Sequence, residues 1–221
     1  MFKKVLVAED IDSINIGLTR ALNKAFSFSV DHAKYCDVAH LKILKAFLDK
    51  EPYDLLITDL SFKSNGREER ITSGDALIRE AKATQPELKT IIYSIEDRPF
   101  KLKEFFKDLQ VDGYVLKGRN SSSEMVDAIK AIYSGETYMS GELMQSINQS
   151  PTLEIDAFDI QLMQELAEGY SQAEISERFK AHGYHPSSLS SIEKRINKLK
   201  DYFMARNTTH LVALAKDMGL L

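Results

Sequence analysis

"LLITDLSF" (55–62) is a short apolar run that ends on a carboxylate. Leu55, Leu56 and Ile57 read as a buried strand, and Asp59 stands where the chain leaves the sheet. In open α/β sheets, ligands bind beyond the carboxyl ends of the strands. An acid at that point is either a turn former or the start of a reactive site. The segments around it decide between the two.

Four further short apolar runs flank this one: "KVLVA" (4–8), "FSVDHA" (28–33), "TIIYS" (90–94) and "GYVL" (113–116). Amphipathic stretches at helical spacing separate them, near 13–26, 36–49, 74–84, 98–109 and 121–134. Five strand–helix units in series predict an α/β fold, a doubly wound five-stranded parallel sheet with helices on both faces. Ser121 followed by Glu124 predicts a capping box at the start of the last helix. After Ser134 the composition turns to Gly, Ser, Thr and Pro, and 138–153 reads as a linker. No further strand pattern follows. Helical spacing recurs at 156–168, 172–181, 187–203 and 208–218, with Ser171 and Glu174 forming a second predicted capping box. The expected organisation is a domain over 1–137, a linker over 138–153 and a small all-helical domain over 154–221.

Bulk properties agree with two soluble domains. The 221 residues are 43% hydrophobic and 28% charged, enough for packed cores. Cys36 is the single cysteine, so no disulfide framework forms within the chain, and a cytoplasmic location is expected. No segment approaches the ~18 apolar residues of a membrane span. The net charge of −4 means that any nucleic-acid-binding surface is local.

The strand ends carry the chemistry. Glu9 and Asp10 follow the first strand and Asp59 the third, and in a doubly wound sheet these strands are neighbours. Clustered carboxylates repel unless a cation shares the site, and Mg²⁺ suits hard oxygen ligands together with a phosphate. Ser94 follows the fourth strand and Lys117 the fifth. A hydroxyl and an ammonium at the same edge give a phosphoryl group on Asp59 one hydrogen bond and one counter-charge.

On "VAED", "ITDL", "IIYS" and "GYVLKG", in this order, residues 1–135 resemble a bacterial response-regulator receiver domain of flavodoxin-like fold. The resemblance implies that a sensor histidine kinase phosphorylates Asp59. It implies Mg²⁺ held by Asp10, Asp59 and the Ser61 backbone carbonyl, with Glu9 assisting. Lys117 then pairs with the phosphoryl group, Ser94 follows it, and Tyr114 swings inward on activation. The chain departs from the family after Asp59. "SFKSNGREERITSGDALI" has no Met-Pro pair, and Gly74 comes late, so the expected connection is extended and carries Arg67, Glu68, Glu69 and Arg70.

"LAEGYSQAEISERF", "RNTTHLV" and the closing "GLL", with "GETYMS" upstream, resemble the LuxR/NarL-type helix-turn-helix domain. In 190–206, Ile192, Ile196, Leu199 and Phe203 form one apolar stripe, and the polar residues point elsewhere. Matching positions imply that Glu193, Lys194 and Asn197 face DNA bases, while Lys198, Lys200 and Arg206 contact phosphates. Five bases against two acids over 191–206 give a local +3. The family commonly has lysine where Glu193 stands, and "KAHGYHPSSL" lengthens the turn. Over 150–221 there are eight bases and ten acids.

The expected function is a two-component transcription regulator that dimerises on activation, with DNA as partner and no membrane association. A signalling adaptor whose helical domain binds protein is the alternative. Phosphatases that form an aspartyl-phosphate use a second acid two residues after the nucleophile. Here that position is Ser61, so an enzyme with its own substrate turnover is not expected.

Overall fold

In the computed structural model of the chain, residues 1–63, 66, 69–144 and 155–221 are described. The chain divides into two compact units. The first contains Met1–Asp97 and Lys101–Met144. Residues 155–221 belong to the second.

The first unit is built on β1 (Lys4–Ala8), β2 (Ser29–Ala33), β3 (Leu55–Thr58), β4 (Lys89–Ser94), β5 (Gly113–Leu116) and β6 (Tyr138–Met139). All are parallel, in the order β2-β1-β3-β4-β5-β6. Helices α1 (Asp12–Ala25), α2 (Cys36–Leu48), α3 (Gly74–Thr84), α4 (Pro99–Asp108) and α5 (Ser121–Tyr133) connect them. β1 and β3 are central and covered on both faces, which is why they read as continuous apolar runs rather than alternating ones. On one face Val5, Val7, Leu55, Ile57 and Ile91 pack against Leu18 and Leu22 of α1 and Met125 and Ile129 of α5.

The sheet therefore has six strands, not five. β6 pairs with β5 through Tyr138 N–H donating to Asp112 O and Ser140 N–H donating to Tyr114 O, each at 3.0 Å. Two residues are too few to show a period, and they lie in a segment whose composition reads as linker. Tyr138–Met144 thus belong to the α/β unit, while 145–153 lie outside the described residues.

The capping box at Ser121 and Glu124 does not form. The N-cap of α5 is Asn120, and it makes no side-chain cap bond. Ser121 Oγ instead shares a hydrogen bond with Tyr93 Oη at 2.8 Å, and Glu124 accepts from the Ser140 hydroxyl. Both side chains are drawn into tertiary contacts that the local pattern does not encode.

The second unit is helical: α6 (Ala157–Ala167), α7 (Gln172–His182), α8 (Leu189–Phe203) and α9 (Thr208–Asp217). Its core gathers Leu162, Met163, Ile175, Phe179, Ile192, Ile196, Leu199, Phe203 and Leu211. The box of Ser171 and Glu174 caps α7 as the sequence predicts, and a second box, Asp156 with Asp159, caps α6. Gly183 ends α7 in the left-handed region at φ 72°, where a residue without Cβ carries no steric penalty.

Candidate functional site

Strand register assembles the acidic site. Ala8 pairs with Thr58, so the next residues, Glu9 and Asp59, leave the sheet side by side. Asp59 N–H donates to Ala8 O at 3.0 Å. Ser94 pairs with Leu116, and Lys117 N–H donates to Ser94 O at 2.8 Å. The four side chains named from sequence at these strand ends are thus placed by the ladder itself.

Lys117 reaches across the edge. Its ammonium donates to Glu9 Oε2 at 2.6 Å and to Asp59 Oδ2 at 2.7 Å, and it lies 5.3 Å from the centre of the Tyr93 ring. Glu9 is almost completely buried and Asp59 nearly so. Burial pushes the Glu9 carboxyl above the usual carboxylate range, against the pull of Lys117 and of the Ile11 N–H. Burial pushes the Lys117 ammonium down, but its hydrogen bonds to Asp59 and Glu9 outweigh that and hold it above its ordinary value. Asp59 Oδ1 also accepts from Leu60 N–H at 2.7 Å, and Asp10 Oδ2 accepts from Lys63 N–H at 3.0 Å.

Glu9, Asp10 and Asp59 each bring a carboxylate oxygen within 4.8 Å of the others. Three carboxylates against one ammonium leave an excess of negative charge among hard oxygen donors. That donor set fits a divalent cation of the magnesium type. Ser61 lies two residues beyond Asp59, and an isolated antiparallel bridge to Ser73 holds it.

Ser94 is buried close to the Tyr114 phenol. Tyr114 lies inward, fully buried, stacked on Phe105 at 6.2 Å, with its hydroxyl donating to Glu96 O at 2.7 Å. Burial, followed by Glu96, pushes its pKa up. The phenol therefore stays protonated and a donor.

Two residues that sequence reasoning did not place at the site support this edge. A Cβ on Gly74 would stand 1.8 Å from Asp59 O, so α3 starts against the backbone of Asp59. Its late position in sequence follows from the long connection, which returns to Asp59 through the Ser61–Ser73 bridge and Gly74 N–H donating to Leu60 O. Near its return the connection is tied to α2: Asp37 accepts from Arg70 N–H and Ile71 N–H, each at 3.0 Å. Arg70 is exposed and pairs with Glu80, and Glu69 is half-buried; Arg67 and Glu68 lie outside the described residues. The other missed residue is Asn15, buried in α1 in line with Leu18 and Leu22. A polar residue in an apolar stripe was its signal.

On α8, Ile192, Ile196, Leu199 and Phe203 are buried, and Glu193, Lys194, Asn197 and Lys198 are exposed. Lys200 is half-buried and Arg206, beyond the helix, is exposed. Arg195 is not available to a ligand. Its guanidinium forks onto buried Asp159 and reaches Asp156. The +3 of this stretch is therefore a surface charge of +2, from four bases against two acids.

No protein-family model matches the chain. Over 145 residues it is 27% identical to the response regulator GacA of Pseudomonas aeruginosa, a match spanning 65% of this chain and 61% of that protein. Over 202 residues it is 22% identical to the response regulator UvrY of Escherichia coli O157:H7, covering 87% of this chain and 85% of UvrY. The chain is thus similar in sequence to response regulators. Its fold is also that of solved RcsB structures. One, of two RcsB dimers bound to two parallel DNAs, has a TM-score of 0.73 at 20% identity, covering 97% of this chain and 98% of that one. Another, of Salmonella enterica serovar Typhimurium RcsB bound to the rprA promoter with the phosphomimetic BeF3⁻, has a TM-score of 0.69 at 20% identity and covers 98% and 99%. No helix among the described residues is long and apolar enough to cross a membrane.

Proposed function

We propose that the chain accepts a phosphoryl group on Asp59 from a sensor histidine kinase and thereby controls its own dimerisation and DNA binding. The observation that carries this reading is Lys117, held between Asp59 and Glu9 at 2.7 and 2.6 Å. An ammonium so placed pairs with one oxygen of an incoming phosphoryl group as Asp59 attacks. The Asp59 oxygen–phosphorus bond forms as the phosphorus–nitrogen bond of the kinase phosphohistidine breaks, and the imidazole leaves. Asp10, Asp59 and the Ser61 carbonyl, with Glu9 beside them, would hold Mg²⁺, which would screen the carboxylate from the phosphoryl charge. The Ser94 hydroxyl donates to the new group, and its neighbour Tyr114, bonded to the Glu96 backbone, follows that movement.

The helical unit is the output. Glu193, Lys194 and Asn197 read base edges, and Lys198, Lys200 and Arg206 hold phosphates. The GacA, UvrY and RcsB likenesses support this reading, and the cytoplasm is its natural setting. The exposure of Glu193, with ten acids over 150–221, favours a second reading in which the helical unit docks on protein.

Intact-mass spectrometry after incubation with Mg²⁺ and acetyl phosphate tests the first step. One phosphoryl adduct on the wild type and none on Asp59→Asn is expected; equal labelling of both removes Asp59 from its role. Selection from randomised duplexes, with and without beryllofluoride, tests the output. Recovery of one motif, bound more weakly by Lys194→Ala, is expected. A flat response from both proteins moves the assignment to the adaptor.

A further inference from the structure

We propose that His32, acting through Asn15, is a positioning residue for the Glu9–Asp10 end of the acidic site. This rests on the reading of Glu9, Asp10 and Asp59 as the cation site. Asn15 Nδ2 donates to the Glu9 backbone carbonyl at 3.1 Å. That bond fixes the amide, so Asn15 Oδ1 is the acceptor in its 2.7 Å contact with His32 Nδ1. Nδ1 therefore carries a proton. Nε2 faces the Thr19 hydroxyl at 3.0 Å, and that hydroxyl is also 2.7 Å from Asn15 O. Both ring nitrogens are thus engaged by α1, and the ring is held on both sides.

The geometry gives this chain a consequence at the site. The Glu9 carbonyl and the Asp10 N–H share one planar peptide unit. On its other side, Glu9 N–H is held by Ala33 O at 3.0 Å, one residue after His32 on β2. Asn15 and β2 thus grip the backbone of Glu9 from two directions, just before it turns into α1. Asp10, half-buried, with a carboxylate oxygen within 4.8 Å of those of Glu9 and Asp59, hangs from that peptide. Without the Asn15 bond the peptide is free to rotate, and Asp10 loses its aim. Outer partners of this kind orient metal-binding groups, and their loss lowers metal affinity.

Burial, with Lys42 nearby, pushes the pKa of His32 down against the pull of Asp31. Asn15 requires only that Nδ1 carry a proton.

Mg²⁺ binding to the full-length protein tests the assignment, read by calorimetry and by the amide resonances of Asp10 and Asp59. Asn15→Ala keeps a strong helix former in α1 and removes only the link. We expect it to weaken Mg²⁺ about tenfold. His32→Leu is expected to do the same, and His32→Asn, which restores a donor near the place of Nδ1, to recover most of the loss. Thermal melting, run alongside, separates aim from fold, because rescue by His32→Asn must appear in affinity at equal stability. Unchanged Mg²⁺ affinity in Asn15→Ala overturns the proposal, as does a His32→Asn variant no better than His32→Leu. Should wild type itself bind no Mg²⁺, the reading of the acidic triad fails first, and that result is distinct from a normal wild type with silent variants.

Discussion

Gly74 shows how much one hydrogen atom decides. A methyl group there meets Asp59 O at 1.8 Å and Asp59 C at 2.8 Å, and both are backbone. Neither can rotate away, so α3 or the end of β3 must shift. Overpacking of this kind costs about 3 kcal/mol. Gly74→Ala is expected to lower the unfolding free energy of the α/β unit by that amount, read as a lower denaturant midpoint, and, on the proposed function, to slow phosphorylation of Asp59, whose backbone moves with it. An unchanged midpoint would mean that α3 starts elsewhere. Cys36 makes the opposite case, a reactive group silenced by its surroundings. Burial first, and then the carboxylates of Asp37, Glu69, Asp75 and Asp10, push its thiol up to about 12. At pH 8 the native thiol is protonated and enclosed, so iodoacetamide is expected to label Cys36 only after denaturation. Fast labelling of the native protein would contradict the packing of α2.

At the scale of elements, what the sequence made legible was what a period or a local bond encodes. β1, β3 and β4 each hold a buried run of at least four residues and β5 one of three, and the helices between them repeat at 3.6. Asp59, Glu9, Asp10, Ser94 and Lys117 were legible because a strand end is a position, and the parallel ladder brings such positions together. β6 was not, because two residues carry no period. The fate of Arg195 was not, because its partners Asp156 and Asp159 lie 39 and 36 residues away. That ion pair gives a prediction. Arg195→Ala leaves the fully buried Asp159 carboxylate without its counter-charge, which costs about 3 kcal/mol, the lower end for a pair whose arginine is partly exposed. Urea denaturation of the helical unit checks it, with Lys194→Ala as a control expected to be neutral. The α7 capping box gives a pH signature. Glu174 accepts from the Ser171 hydroxyl and N–H, which hold its carboxyl below the ordinary value of 4.5. A carboxyl depressed on folding adds stability above its unfolded pKa and loses it as pH falls through the folded one. Melting of wild type against Glu174→Gln is expected to differ at pH 6 and to converge as pH drops below 4.5; a constant difference would assign the bond no charge dependence.

At the scale of the whole molecule, the proposed DNA reading sets an acidic chain against an anionic partner. The net charge is −4, so on that reading long-range attraction to DNA is absent and binding rests on a few local cations. Each protomer of the proposed dimer would offer Lys198, Lys200 and Arg206 to phosphates, since Arg195 is spent inside the fold. A dimer on two half-sites then neutralises about six phosphates, and log K is expected to fall with log salt at a slope of about −5. Lys198→Ala removes one contact per protomer, so the slope should shrink by about 2 with the preferred motif unchanged. Glu193 separates two accounts of its unusual charge. As a reader, it accepts from a cytosine amino group, and Glu193→Ala loses about 1–3 kcal/mol of discrimination at one base position. As a mere repulsive charge, it weakens every sequence alike, and Glu193→Ala tightens all duplexes while leaving the motif intact. Competition between the selected duplex and its single-base variants, run at two salt concentrations, decides between them. Loss of preference at one position alone, at both salts, is the outcome expected of a helix that reads cytosine with an acid.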